Sequence, residues 1–283
     1  MTATAERTLV LADGRSLCFA SYGDPHGQPV LWLHGAASSR VEAAFFHEGA
    51  SARGLHVVST DRPGCGGSTP NPGYEFLTYA DDLVALQREL NIVACPVGGF
   101  SNGGAFAAAA GFRYPERFPA LILVNATSPA RDKAVRSVLP TATKAAYLAS
   151  RLMPGLIARQ ALSPNADKRL NAASHPDAGT DPLFTAAKRE LHRQPGSGYL
   201  KREIQLGARR WGFDHRSLTQ RVEIVVGDAD AGAPYAHVLA SELLDAHLSE
   251  YAGGHRGIAF DPGTTTVVSA LARAAESVPT LRD

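Results

Sequence analysis

Short apolar runs and helix-type segments take turns along most of this chain, and that alternation restricts its fold more than any other feature. "PVLWLHG" (29–35) reads as a buried strand and is followed by helical "VEAAFFHEGASARG" (41–54). Then come the strand "LHVVSTD" (55–61), the helix "YADDLVALQREL" (79–90), the strand "NIVACPVGG" (91–99), the helix "NGGAFAAAAGFRYP" (102–115) and the strand "FPALILVNAT" (118–127). Strands separated by helices at this spacing predict an α/β fold, a mostly parallel sheet covered by helices on both faces. Ahead of it, "TLVLADGRSLCFASYG" (8–23) has two strand-like runs around Asp13-Gly14, which predicts an opening antiparallel hairpin.

After Thr127 the alternation stops for about ninety residues and resumes at "RVEIVVGDAD" (221–230). The helix "YAHVLASELLDA" (235–246), the strand "HLSEYAGG" (247–254) and a last helix from Thr264 to Glu276 complete the pattern. The interruption contains "KAAYLASRLMPGLIARQAL" (144–162) and "DPLFTAAKRELHRQ" (181–194), which have helical spacing and are separated by Pro and Gly. We therefore expect a core of residues 1–127 and 217–283, with 128–216 inserted as a helical cap. Between Arg131 and Arg216 there are 16 Lys and Arg against 7 Asp and Glu, so a net charge of only +1 conceals a basic insertion and an acidic core. Those arginines and lysines either sit on solvated helix faces, paired in part with the core, or line an entrance that draws in an anionic substrate.

With 283 residues, 45% of them hydrophobic, the chain can bury a sizeable core. Its near-neutral charge offers no basic field for nucleic acid. Cys18, Cys65 and Cys95 are too few and too scattered for a disulfide framework or a metal site, which favours a reducing compartment. "MTATAERTLVLADG" has neither the basic start nor the apolar stretch of a secretory signal, and no run reaches the roughly 18 apolar residues of a membrane span. The expectation is a cytoplasmic protein that acts on a small molecule and has no membrane partner; a homo-oligomer is left open.

The chemistry gathers at "GFSNG", Gly99 to Gly103, a G-x-S-x-G at the junction of an expected strand and helix. A sharp turn there lifts the Ser101 hydroxyl clear of the sheet, and small neighbours let strand and helix approach closely. The helix start aims its N–H groups and dipole at developing negative charge. The plainer alternative is a Gly-rich turn with an N-capping serine. A serine nucleophile needs a base and the base an orienting acid, in the chain order Ser, Asp or Glu, His. Asp230 lies three residues beyond Gly227, where the loop after a strand projects from the sheet edge; Asp228 is the reserve. His255 follows the last strand within "YAGGHRG", whereas His247 at that strand's start reads as structural.

These residues together resemble the α/β-hydrolase family. The likeness rests on "LHG" (33–35), "DRPGCGGS" (61–68), "GGFSNGG" (98–104), "GDAD" (227–230) and "GGH" (253–255), in that order, and covers all but the insertion. It implies an eight-stranded sheet with a cap after the sixth strand, and an oxyanion hole formed by the backbone N–H groups of Ala36 and Asn102. Serine stands where dehalogenases and epoxide hydrolases carry aspartate, which counts against those reactions. Phe100 replaces the histidine many relatives have before the nucleophile and so alters the pocket wall. His34 reads as a brace for the oxyanion loop, and Asp61 and Arg62 as loop-holding charges. Trp32, Trp211, Tyr147, Tyr199 and Met153 could line an apolar pocket, but their spacing suits plain packing equally.

The sequence thus points to a serine hydrolase cleaving an ester, lactone or thioester of a small, largely apolar molecule, with no metal or organic cofactor required. The same triad could instead serve carbon–carbon bond hydrolysis, aminopeptidase-like amide cleavage or lyase chemistry. A rival of another class is a ligand-binding protein with slow turnover; fold alone does not separate these.

Overall fold

The computed structural model describes residues 6–129, 131–163, 182–194, 196 and 198–278. Eight strands form one sheet in the order β1-β2-β4-β3-β5-β6-β7-β8: β1 Arg7–Val10, β2 Ser16–Gly23, β3 Gln28–Leu33, β4 Leu55–Thr60, β5 Val97–Phe100, β6 Ala120–Val124, β7 Arg221–Gly227 and β8 Ala246–Tyr251. β1 and β2 form the expected hairpin, with Gly14 in the left-handed region at φ 81°; the pairings from β4 onward are parallel. The sheet is thus eight-stranded and mostly parallel, as expected.

Strand side chains alternate faces, and the core divides accordingly. Leu31, Leu33, Val97, Leu121 and Leu123 pack on one side with helices α2 (Phe76–Glu89) and α3 (Asn102–Arg113). Val30, Trp32, Ile122 and Val124 pack on the other with α1 (His47–Ser51) and the C-terminal helix Gly263–Glu276. Both faces are apolar because both are covered, which is why these strands read as nearly continuous hydrophobic runs.

Two local expectations are corrected. The stretch 41–54 is not one α-helix: a 3-10 helix, Arg40–Phe46, capped by the Ser39 side chain on the Val41 N–H, precedes the short α1. The strand expected from Asn91 begins only at Val97, because Asn91 ends α2 in the left-handed region at φ 55° and the chain must first return to the sheet.

Between β6 and β7 the described residues form α4 (Lys133–Val138), α5 (Thr141–Leu152), α6 (Pro154–Ala161), α7 (Pro182–Leu191) and α8 (Tyr199–Gly207). Parts of the expected core and insertion, at 1–5, 130, 164–181, 195, 197 and 279–283, lie outside the described residues. After β7 come α9 (Ala233–Glu242) and α10 (Gly263–Glu276). Two of these helices are anchored by charge: Glu190 of α7 pairs with Arg40 at 2.9 Å, and Glu203 of α8 with Arg62 at 2.7 Å.

Candidate active site

Parallel pairing brings the C-terminal ends of several strands to one edge of the sheet, since Leu33 lies beside Gly99, Phe100 beside Val124 and Gly227 beside Tyr251. Ser101 directly follows β5, Asp230 comes three residues after β7, His255 four after β8 and Ala36 three after β3. Residues far apart in sequence therefore meet in the crevice beyond the strand ends.

The corner at Ser101 is tight. Its backbone has φ 54° and ψ −119°, a conformation that non-glycine residues adopt only when their surroundings enforce it. Here Ser101 N–H donates to Val124 O at 2.8 Å, and Ser101 O accepts from Thr127 N–H at 2.9 Å. The flanking glycines are needed for close approach. A Cβ at Gly103 would stand 2.0 Å from Leu33 O, and one at Gly99 would stand 2.3 Å from the Gly103 carbonyl.

Ser101 Oγ is 3.0 Å from His255 Nε2, and His255 Nδ1 is 2.5 Å from Asp230 Oδ2. Asp230 is buried, which opposes its ionisation, but the neighbouring His255 and the Gly232 N–H outweigh that cost and hold the carboxyl below the usual range. Asp228 faces elsewhere and accepts from Gly253 N–H at 2.9 Å. The His255 loop is fixed by Asn125, which the sequence did not mark. Its Nδ2 donates to His255 O at 2.8 Å and to Tyr251 Oη at 2.6 Å, while its Oδ1 accepts from Gly227 N–H at 2.9 Å. Phe100 lies against the His255 ring with centroids 4.8 Å apart. His247, at the start of β8, pairs with Glu223 of β7 at 3.0 Å.

Ala36 and Asn102 flank this corner, because α3 starts against the backbone of Leu33 and His34. The loop before Ala36 is fixed on both sides. Buried Glu42 accepts from Gly35 N–H at 3.1 Å and from Trp32 Nε1 at 3.1 Å; burial nevertheless pushes its carboxyl up to about 7. His34 is held well below the usual histidine range by burial and by Arg62, so it is neutral, with Nδ1–H donating to Gly35 O at 2.7 Å. Arg62 Nη1 donates to His34 O at 2.6 Å. Glu203, also unmarked in the sequence, receives Arg62 through both carboxylate oxygens and accepts from Asn102 Nδ2 at 2.7 Å. None of these bonds uses the N–H of Ala36 or Asn102.

The aromatic candidates serve packing in most cases. Trp32 is fully buried against Phe46, Trp211 packs with Phe76 and Phe213, and Tyr147 binds Ser128. Met153 is half exposed, and Tyr199 Oη accepts from Arg62. Among the described residues His34, Asp61 and Cys65 bring metal-type donor atoms within 4.8 Å of one another. Those donors are occupied: Asp61 accepts from the Arg40 guanidinium at 2.6 Å and from Gly67 N–H at 3.1 Å, and burial holds the Cys65 thiol well above its usual range. Two guanidiniums beside the group oppose a cation further. Among the described residues no helix is long and apolar enough to cross a membrane.

A mostly parallel eight-stranded sheet with a Ser, Asp and His aligned at its C-terminal edge defines the class of α/β-hydrolase folds. The family model for the alpha/beta hydrolase fold matches residues 28–183, and the chain belongs to that family. It is 33% identical over 114 residues to an AB hydrolase superfamily protein, YisY, of Bacillus subtilis, a match covering 38% of this chain and 41% of that protein. It is 32% identical over 120 residues to a proline iminopeptidase of Xylella fastidiosa, covering 41% of this chain and 37% of the other. The matches thus span about two-fifths of these relatives' lengths. An esterase from Exiguobacterium antarcticum superposes with a TM-score of 0.73 at 19% identity, covering 96% of this chain and all of the esterase, which shows the shared fold.

Proposed function

We propose that this chain is a serine hydrolase cleaving an ester, lactone or thioester of a small, largely apolar molecule. The observation that carries the reading is the line of contacts from Ser101 Oγ through both His255 nitrogens to Asp230, at 3.0 and 2.5 Å. His255 Nε2 takes the hydroxyl proton as Oγ attacks the carbonyl carbon, and Asp230 holds the ring and stabilises the imidazolium that forms. The N–H groups of Ala36 and Asn102 receive the oxyanion. His255 then gives its proton to the leaving group, and a water activated by the same nitrogen cleaves the acyl-enzyme.

The iminopeptidase resemblance suggests amide cleavage beside a free amino group as the second reading. Recognition of an ammonium calls for an available carboxylate. Glu203 and Glu42, beside the proposed oxyanion residues, are buried and bound to Arg62, Tyr74 and Asn102 and to Trp32 and Gly35 respectively, which favours the ester reading. A fluorophosphonate probe should label wild-type protein at Ser101, and Ser101→Ala should lose p-nitrophenyl ester hydrolysis by about a thousandfold or more. Undiminished hydrolysis by the purified mutant would remove Ser101 from the role.

A further inference from the structure

We infer that Arg62 and Glu203 form a single clamp that orients the Ala36 N–H and holds the Asn102 side chain at the start of α3, which makes Glu203 a positioning residue supplied by the segment between β6 and β7. The inference rests on the serine-hydrolase reading above.

The clamp acts on Ala36 through the peptide unit it shares with Gly35. Arg62 Nη2 donates to Gly35 O at 3.2 Å and His34 Nδ1 donates to the same oxygen at 2.7 Å. A peptide unit is planar and trans, so fixing its oxygen fixes the opposite direction of the Ala36 N–H. The other arm acts on the residue after Ser101. Glu203 Oε2 accepts from Arg62 Nη2 and from Asn102 Nδ2, both at 2.7 Å, and Glu203 Oε1 accepts from Arg62 Nε at 3.0 Å and Tyr74 Oη at 2.5 Å. The Arg62 and Glu203 side chains are fully buried, so their charge-assisted bonds are undiluted by water. Among the described residues Asn102 Oδ1 is buried without a partner, which leaves Glu203 as the polar anchor of that side chain. One carboxylate on α8 thus ties together the two loops that must both be in register when charge develops on the substrate oxygen.

Positioning predicts a loss in kcat with KM nearly unchanged. Misplacing one oxyanion donor affects the transition state more than the bound ester. The test compares p-nitrophenyl ester kinetics of wild type, Glu203→Gln, Asn102→Ala and the double variant. Arg202→Gln serves as a control, since it breaks a different anchor of the same helix, the ion pair to Glu75 at 2.6 Å. Glu203→Gln and Asn102→Ala should each lower kcat about tenfold or more with KM within about twofold, and the double variant should fall short of the product of the two losses. Arg202→Gln should stay within about twofold of wild type. If Glu203→Gln does not fold, Asn102→Ala, which leaves Arg62 paired, carries the same test through its kcat and KM. Wild-type kcat in both variants, an equal loss in Arg202→Gln, or multiplicative losses in the double variant would overturn the clamp. Fluorophosphonate labelling of wild type separates the failures. If Ser101 is labelled and the variants keep their kcat, the clamp alone falls; if wild type neither labels nor turns over, the nucleophile and the clamp fall together.

Discussion

Asp228 and Asp230 stand two residues apart on the loop after β7, yet they face different partners: Asp230 meets the His255 ring at 2.5 Å and Asp228 meets the Gly253 backbone at 2.9 Å. Asp230→Asn should therefore lower kcat about a thousandfold or more, because an amide cannot fix the imidazole tautomer or stabilise its cation. Asp228→Asn should cost less than about tenfold, since an amide oxygen can still accept from Gly253 N–H. Steady-state rates on a p-nitrophenyl ester decide this, and a larger loss at Asp228 would reverse the two roles.

Strain at Ser101 predicts a trade of activity against stability. Glycine adopts φ 54° without steric cost, whereas alanine keeps the clash of a Cβ. Ser101→Gly should raise the unfolding free energy by about 1 kcal/mol while removing activity, and Ser101→Ala should remove activity with little change in stability. Urea denaturation of the three proteins measures the difference.

Glu42 makes stability depend on pH. Its folded pKa of about 7 lies above the ordinary 4.5, so the folded state holds the proton more tightly. Its contribution is fully present below about pH 4.5, is lost as pH rises toward about 7, and is constant beyond that. Glu42→Gln cannot titrate, so its stability relative to wild type should improve by about 2–3 kcal/mol between pH 4 and pH 8. Denaturation of both proteins across that range tests this, and a constant difference would contradict it.

The basic segment between Arg131 and Arg216 should behave as ordinary surface. Arg202 pairs with Glu75, Arg193 with Glu6, and Arg216 with Asp132, Asp214 and Glu242. An ion pair cancels much of a guanidinium's field beyond the pair, which leaves little to steer a ligand. Matched neutral and anionic esters should therefore show the same change in second-order rate constant between about 0.02 and 0.5 M ionic strength. Slowing of the anionic ester alone would assign a steering role to Arg131, Arg151 and Arg209, which line a cavity of about 240 Å3 beside the C-terminal end of α8.

What the sequence determined by itself was whatever a local rule controls. Residues that face a core on both sides of a sheet must be apolar, so β3, β6 and β7 were legible as strands. A strand-to-helix turn pressed against a neighbouring strand tolerates no Cβ at Gly99 or Gly103, so the corner at Ser101 was legible. The glycines around His255 and the spacing after Gly227 marked His255 and Asp230, with Asp228 in reserve. Only the tertiary structure brings Asp230 to the His255 ring and turns Asp228 to the Gly253 backbone, because that depends on where the loops after β7 and β8 meet. It also recruited Glu203, which reaches Asn102 across 101 residues of chain, and Asn125, which ties β7 to the His255 loop. A buried Glu on an amphipathic helix has no local signature that distinguishes it from a solvated one. Its role arises only when packing removes water and leaves Arg62 and Asn102 as its partners.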